Sequence, residues 1–236
     1  MTISPPEIPI IYQDEFLVVV HKPAGMLVHR GMGAQVGEHF LMQVVRDQIN
    51  TFIYPVHRLD RATSGLVVFA LTSEVARELQ NSWQTGLIKK SYQAIVRGWI
   101  PESEGLRDEA LDDPDNGKQY EAQTRWKVLE TCTVPFPIGA FSEARYSLME
   151  LEPLTGRWHQ LRRHFSRMKH PIIGDTTHGD RHHNHMLRDR LGWWRLLLAA
   201  NSLEFPHPAT GMQIMLKDLP ARGLAPYWDV LLGIGD

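Results

Sequence analysis

His57-Arg58-Leu59-Asp60-Arg61-Ala62-Thr63-Ser64-Gly65, continuing into Leu66-Val67-Val68-Phe69-Ala70-Leu71, packs four ionisable side chains into five positions and then turns apolar. Thr63-Ser64-Gly65 is turn chemistry. Leu66–Leu71 is rich in β-branched and aromatic residues and reads as a strand. On an open surface, an Asp between arginines makes an ion pair worth under about 1 kcal/mol. Pinned directly against a strand, the same cluster is expected at the mouth of a cleft. Cationic neighbours favour the charged carboxylate, the form that a nucleophile or a general base requires. Asp60 is the first candidate for chemistry.

Working outward, strand-like runs recur at Ile8–Tyr12, Phe16–His21, Ser91–Trp99, Tyr120–Leu129, Ala144–Leu151, Leu196–Phe205 and Met212–Leu216. Most are β-branched or alternate apolar with polar residues, as half-buried antiparallel strands do. Thr72 is a plausible N-cap for a helix over Ser73–Gln84, where Val75, Leu79 and Trp83 recur every four residues. A second helix is predicted over Gly156–Met168, with Trp158, Leu161, Phe165 and Met168 as one apolar stripe. The acidic run Leu106–Gly117 reads as an exposed connection. Strands in clusters, without strict βαβ alternation, predict an α+β fold with a mixed, largely antiparallel sheet flanked by helices.

Composition removes several classes. One cysteine, Cys132, excludes an internal disulfide framework and fits a reducing compartment. No run approaches the roughly 20 apolar residues of a membrane helix. Met1–Pro9 shows no basic start followed by an apolar run, so no secretory leader is expected and the predicted location is cytoplasmic. Neither GxGxxG nor GxxxxGK[ST] occurs, so nucleotide cofactors lack their usual phosphate cradle. A net charge of −2 does not announce a nucleic-acid partner, but its distribution is uneven. Arg157–Arg195 holds nine Lys or Arg against three Asp, and Glu102–Asp115 holds seven acidic residues against one basic. That asymmetry predicts one positive face. The His178, His182, His183, His185 group lacks the cysteines of many zinc sites. Among Arg181, Arg188 and Arg190, it reads as a polar loop.

The Asp60 segment, His57-Arg58-Leu59-Asp60-Arg61-x-Thr63-Ser64-Gly65, resembles the catalytic motif of the RluA-type pseudouridine synthases. Further stretches match in order. They are Lys22-Pro23-Ala24-Gly25 with Val28-His29, Lys90-Ser91-Tyr92-Gln93-Ala94-Ile95-Val96-Arg97-Gly98, and Gly156-Arg157-Trp158-His159-Gln160-Leu161-Arg162. His170-Pro171-Ile172-Ile173-Gly174-Asp175 and Leu203-Glu204-Phe205-Pro206-His207-Pro208 follow, so the matches span residues 22 to 208. Each is weak alone; the ordered set is specific.

The resemblance implies a single catalytic domain over 1–236 with a central RNA-binding cleft, no N-terminal S4-like domain, and an isomerase needing no cofactor or metal. Asp60 would detach uracil from ribose C1′ and hold the sugar while the base rejoins through C5. Tyr92 would stack on the base; from its strand face alone a core tyrosine is the plainer reading, and the resemblance favours the active site. Arg162 would pair with Asp60 through a planar fork that lysine lacks. Arg58 would fill the gap left by the flipped nucleotide, whose unstacking costs a few kcal/mol. His57, Arg61, Leu161, Arg157 and His159 complete the expected RNA- and base-contacting set. Arg162-Arg163-His164 and His178-Gly179-Asp180 most resemble the tRNA pseudouridine-65 (TruC-type) branch, which implies a tRNA substrate and a monomer with no protein partner. Ala62, where that branch often has Pro, is a departure, as is Ala199-Ala200. Alternatives are an RluA-type enzyme acting on ribosomal RNA and a non-catalytic RNA-binding module, which would not need Asp60.

Overall fold

In the computed structural model, which describes residues 5–31 and 37–235, the chain runs in order through β1 (Ile10–Gln13), β2 (Leu17–Lys22), α1 (Leu41–Ile49), β3 (Tyr54–Pro55), β4 (Ser64–Ala70) and α2 (Ser73–Gln84). It continues through β5 (Lys89–Arg97), β6 (Glu104–Asp108), β7 (Leu111–Asp112), β8 (Gln119–Tyr120), β9 (Gln123–Val134) and β10 (Ala144–Pro153). It ends with α3 (Gln160–Arg167), α4 (Arg181–Leu191), β11 (Leu198–Pro206), β12 (Gln213–Lys217) and α5 (Ala225–Gly235). The fold is α+β with largely antiparallel strand pairing. Two compact units are distinguishable, the first reaching to Lys90 and regaining Ala200–Arg222, the second holding Ser91–Ala199 and the chain from Gly223.

In the first unit, β2 and β4 pair antiparallel in the register Val19↔Val68 and Val20↔Val67, with β1 beside β2, β3 pairing β4, and β12 pairing β11. Every residue of β2 and β4 is buried, so these strands are covered on both faces rather than half-buried. That is the reason for their unbroken apolar runs, which alternation alone does not explain. One face packs Leu17, Val19, Leu66 and Val68 against Val75, Ala76 and Leu79 of α2. The α2 helix starts where expected. The Thr72 hydroxyl accepts from the Val75 N–H at 3.3 Å, a cap worth about 1 kcal/mol.

In the second unit β5 pairs β10, β10 pairs β9, and β9 pairs β6, all antiparallel. Tyr146, Ile95, Val134, Leu197, Trp228 and Leu231 form its core. The α3 helix begins at Gln160, not Gly156, because His159 sits in left-handed conformation at φ 50. The Gln160 side chain holds that turn. Its Oε1 accepts from the Arg157 N–H (3.0 Å) and the Thr155 hydroxyl (2.7 Å), and its Nε2 donates to the Gln123 carbonyl at 2.9 Å. Trp158 is therefore exposed outside the helix, and the predicted four-residue stripe shrinks to Leu161 and Phe165.

Two further expectations are corrected. The histidine group is not a loop: His182, His183 and His185 lie on α4, capped by Asp180 accepting from the His182 and His183 N–H groups and closed by left-handed Gly192. The acidic run is not simply an exposed connection either. It carries the end of β6 and all of β7, which pairs with β8 just beyond it, and Leu111 is 1% exposed. Its carboxylates neutralise the basic helix, since Glu109 pairs with Arg107 and with Arg167 (2.9 Å) and Asp112 lies 3.7 Å from both Arg163 and Arg167. Within this unit the acidic segment neutralises the arginines of α3, so the uneven charge of the sequence does not leave that helix as an unopposed positive face.

Gly65 and Gly192 separate strain from crowding. Both have positive φ (+114 and +70), but a Cβ on Gly65 would lie 2.2 Å from the Ala200 carbonyl oxygen, whereas one on Gly192 meets nothing within 4 Å. Gly192→Ala should cost about 1 kcal/mol, and Gly65→Ala at least about 2 kcal/mol more because backbone must move. Urea unfolding of the two variants beside the parent checks the difference; equal midpoints would contradict it.

Candidate active site

The loop between β3 and β4 is anchored by apolar side chains. Val56 and Leu59 are buried while Arg58 is exposed, and Thr63 N–H closes a turn on the Asp60 carbonyl at 3.1 Å. His57 is locked beneath it. Its Nε2 accepts from the Val68 N–H at 3.1 Å, and its ring stacks on Trp83 at 4.0 Å. Burial first, and the Lys90 charge second, push the His57 pKa down to about 3.

The second support is Lys22. Its side chain is fully buried, and its ammonium donates to the carbonyls of Pro23 (3.0 Å), Met26 (2.7 Å) and Arg61 (3.1 Å). The Arg61 carbonyl also accepts from Gly25 N–H, while its guanidinium donates back to the Gly25 carbonyl at 3.0 Å and pairs with Glu38 at 2.7 Å. The Lys22–Gly25 motif is thus the bracket that holds the residue after Asp60. Sequence reasoning quoted Lys22 without giving it a role; the available signal was a lysine inside an apolar strand, which must find acceptors.

Tyr92 and Arg162 belong to the second unit, Asp60 to the first. Tyr92 lies on β5 opposite Leu151 and is half-buried, whereas Ala94 and Val96 beyond it are 0% exposed. Its ring therefore sits where the core gives way to the surface. Arg162, 5% exposed, donates Nε–H to Asp175 Oδ2 at 2.7 Å and Nη2–H to Oδ1 at 2.9 Å. Its Nη1 lies 2.6 Å from His159 Nε2, and His159 Nδ1 lies 3.0 Å from His178 Nε2. Burial acts to raise the Asp175 pKa, but the Arg162 and His178 N–H bonds outweigh it and hold the carboxyl below the usual range. Leu161 is buried, and Arg157 donates to the Glu121 carbonyl with its guanidinium over the Tyr120 ring. Asp175 and His178 stand in motifs quoted from the sequence but were given no role at the site; nothing in the sequence marks a carboxylate thirteen residues away as the partner of Arg162.

The profile of the RNA pseudouridylate synthase family matches residues 16–167. The chain belongs to that family. Among curated relatives, "tRNA pseudouridine synthase C" of Vibrio parahaemolyticus is 47% identical over 91% of this chain and 91% of its own. The protein of the same name from Haemophilus influenzae is 42% identical over 94% and 95%. "Human RNA Pseudouridylate Synthase Domain Containing 4" superposes with a TM-score of 0.69, at 26% identity over 92% of each chain. "Human RNA Pseudouridylate Synthase Domain Containing 1" shares the fold with a TM-score of 0.72, at 24% identity over 99% of each.

As an RNA pseudouridylate synthase the protein is an isomerase. The N1–C1′ bond of uridine breaks, a C5–C1′ bond forms, the C5 proton leaves and N1 gains one. No electron is gained or lost, so a carboxylate, a base and a held sugar meet the stoichiometry.

Two predictions concern the Lys22 support of this site and the buried histidines of the two units. Lys22→Met should lower the unfolding free energy by about 2–4 kcal/mol, because three part-buried carbonyls lose their charged donor, and should depress turnover of the folded fraction; urea unfolding and activity at 20 °C measure both. His57 and His183 are held near 3 and 4, His57 by burial and the Lys90 charge and His183 by burial. A neutral imidazole of lowered folded pKa gives stability that is complete above the ordinary value near 6.5 and is lost as pH falls. The midpoint of thermal unfolding should therefore drop between pH 7 and pH 5, and His183→Gln should flatten that drop.

Proposed function

We propose that this protein isomerises one uridine of tRNA, at position 65 in the TΨC stem, with Asp60 as the carboxylate that acts at ribose C1′. The observation that carries the chemistry is the Asp60 turn, anchored by Val56 and Leu59 and bracketed by the Lys22 ammonium. A catalytic carboxylate needs that kind of fixed backbone. The tRNA reading is supported by relatives at 41–48% identity that are named tRNA pseudouridine synthase C. The stem position follows from the likeness of Arg162-Arg163-His164 and His178-Gly179-Asp180 to the tRNA pseudouridine-65 branch.

On this reading Tyr92 stacks on the target base, Arg162 pairs with Asp60, and Leu161 packs on the uracil. Arg58 occupies the place of the flipped nucleotide, so that a stacked guanidinium offsets part of the few kcal/mol of unstacking. His57, Arg61, Arg157 and His159 complete the surroundings of the RNA. The two units together serve one catalytic domain, acting as a cytoplasmic monomer without cofactor or metal. Among the described residues no helix is long and apolar enough to cross a membrane.

The test is pseudouridine formation, read by carbodiimide labelling and mass spectrometry, on unmodified tRNA transcripts beside a 23S rRNA fragment, in chelator. The expected result is one product at tRNA position 65, none with Asp60→Ala, and RNA binding retained by that variant because phosphate contacts supply most affinity. Modification confined to rRNA moves the enzyme to another branch of the family. Turnover by Asp60→Ala overturns the catalytic assignment.

A further inference from the structure

The reaction assigned to Arg162 needs its guanidinium in one plane at one height, and the residues around it are over-determined for that purpose. We propose that Asp175, His159 and His178 are positioning residues that fix the Arg162 guanidinium through a chain of hydrogen bonds with a single possible proton order. The inference rests on the reading of Arg162 as part of the reacting site.

The order follows from donor chemistry. A guanidinium only donates, so at 2.6 Å the His159 Nε2 must accept from Nη1. A neutral imidazole carries one proton, which places it on His159 Nδ1. That atom faces His178 Nε2 at 3.0 Å, so His178 accepts and carries its own proton on Nδ1. A proton added at either accepting nitrogen would set a donor against a donor.

The other contacts hold the rings and the fork still. Trp158 stacks on His159 at 3.8 Å and 17° and meets His178 edge-on at 5.8 Å. Asp175 grips the opposite side of the fork with both oxygens, and its Oδ1 also accepts from the N–H groups of Thr177 and His178 at 2.9 Å. One carboxylate therefore orients Arg162 directly and places the backbone that bears the His178 ring. His159 holds its ring there from φ 50, a left-handed conformation costing about 1–2 kcal/mol for a residue with a Cβ. Glycine or asparagine would cap α3 at lower cost, so a histidine at this position reflects what its ring does.

Two measurements test this. Long-range proton–nitrogen NMR of the unaltered protein should find both His159 and His178 protonated at Nδ1. Single-turnover release of tritium from a tRNA transcript carrying 5-tritiated uridine should then be slower in His178→Leu by ~10- to 100-fold, the scale of an ångström of misplacement, with the half-saturating RNA concentration unchanged. His178→Gln, which restores an acceptor for His159 Nδ1–H, should recover most of the loss, as a merely space-filling role would not. A proton on His159 Nε2, an undiminished rate in His178→Leu, or an effect confined to RNA affinity overturns the positioning role alone. An undiminished rate in Arg162→Ala overturns the reading of Arg162 itself, and the inference with it.

Discussion

Moving an ammonium ion out of water costs several kcal/mol even after the protein relaxes around it, and Lys22 makes that move completely, at 0% exposure. Its charge is met by three carbonyl oxygens, each charge-assisted bond returning about 1.5–3 kcal/mol. Two of those oxygens belong to the chain just after β2, and the third to Arg61. A single cation therefore ties the end of one buried strand to the turn that leads into another. Because β4 pairs in fixed register with β2 and with β3, the loop carrying Asp60 is held at both ends. The ionic clamp of Arg61 on Gly25 and Glu38, and the His57 ring between Val68 and Trp83, depend on that arrangement.

The second unit solves a similar problem with direction instead of charge. Arg162 is buried with Asp175, and a buried pair earns little stability in itself because desolvation offsets attraction. What such a pair supplies is geometry. Asp175 holds two guanidinium N–H groups on one edge, His159 meets Nη1 on the other side, and the stacked Trp158 keeps the imidazole in plane. Rotation of any member of this chain breaks a bond.

Charge elsewhere in the unit is largely consumed internally. The arginines of α3 meet Glu109 and Asp112 from the acidic segment, and Arg97 meets Asp180 at the start of α4. These pairs hold β6–β8 and α4 in place. They also mean that counting basic residues along the chain overstates the field that an RNA backbone would meet, since a phosphate must compete with carboxylates already in contact.

Local features of the chain were legible in its residues. The Thr72 cap and the α2 helix, the strands β2 and β4, and the α+β class follow from propensity and periodicity, which act over a few neighbours. The ordered motifs from Lys22 to Pro208 identified the family and pointed to Asp60, Tyr92 and Arg162. The α4 helix was signalled by Asp180 and Gly192 but hidden by its scarcity of apolar residues, and the start of α3 was hidden because Gln160 spends its side chain on the backbone of the preceding turn and on β9. Only tertiary structure decided that the acidic run faces α3, that Lys22 reaches Arg61 across 39 positions, and that Asp175, Trp158, His159 and His178 surround Arg162. Those partners are chosen by which strands and turns pack together, and a hydrogen bond between residues far apart in the chain leaves no periodic mark on the sequence.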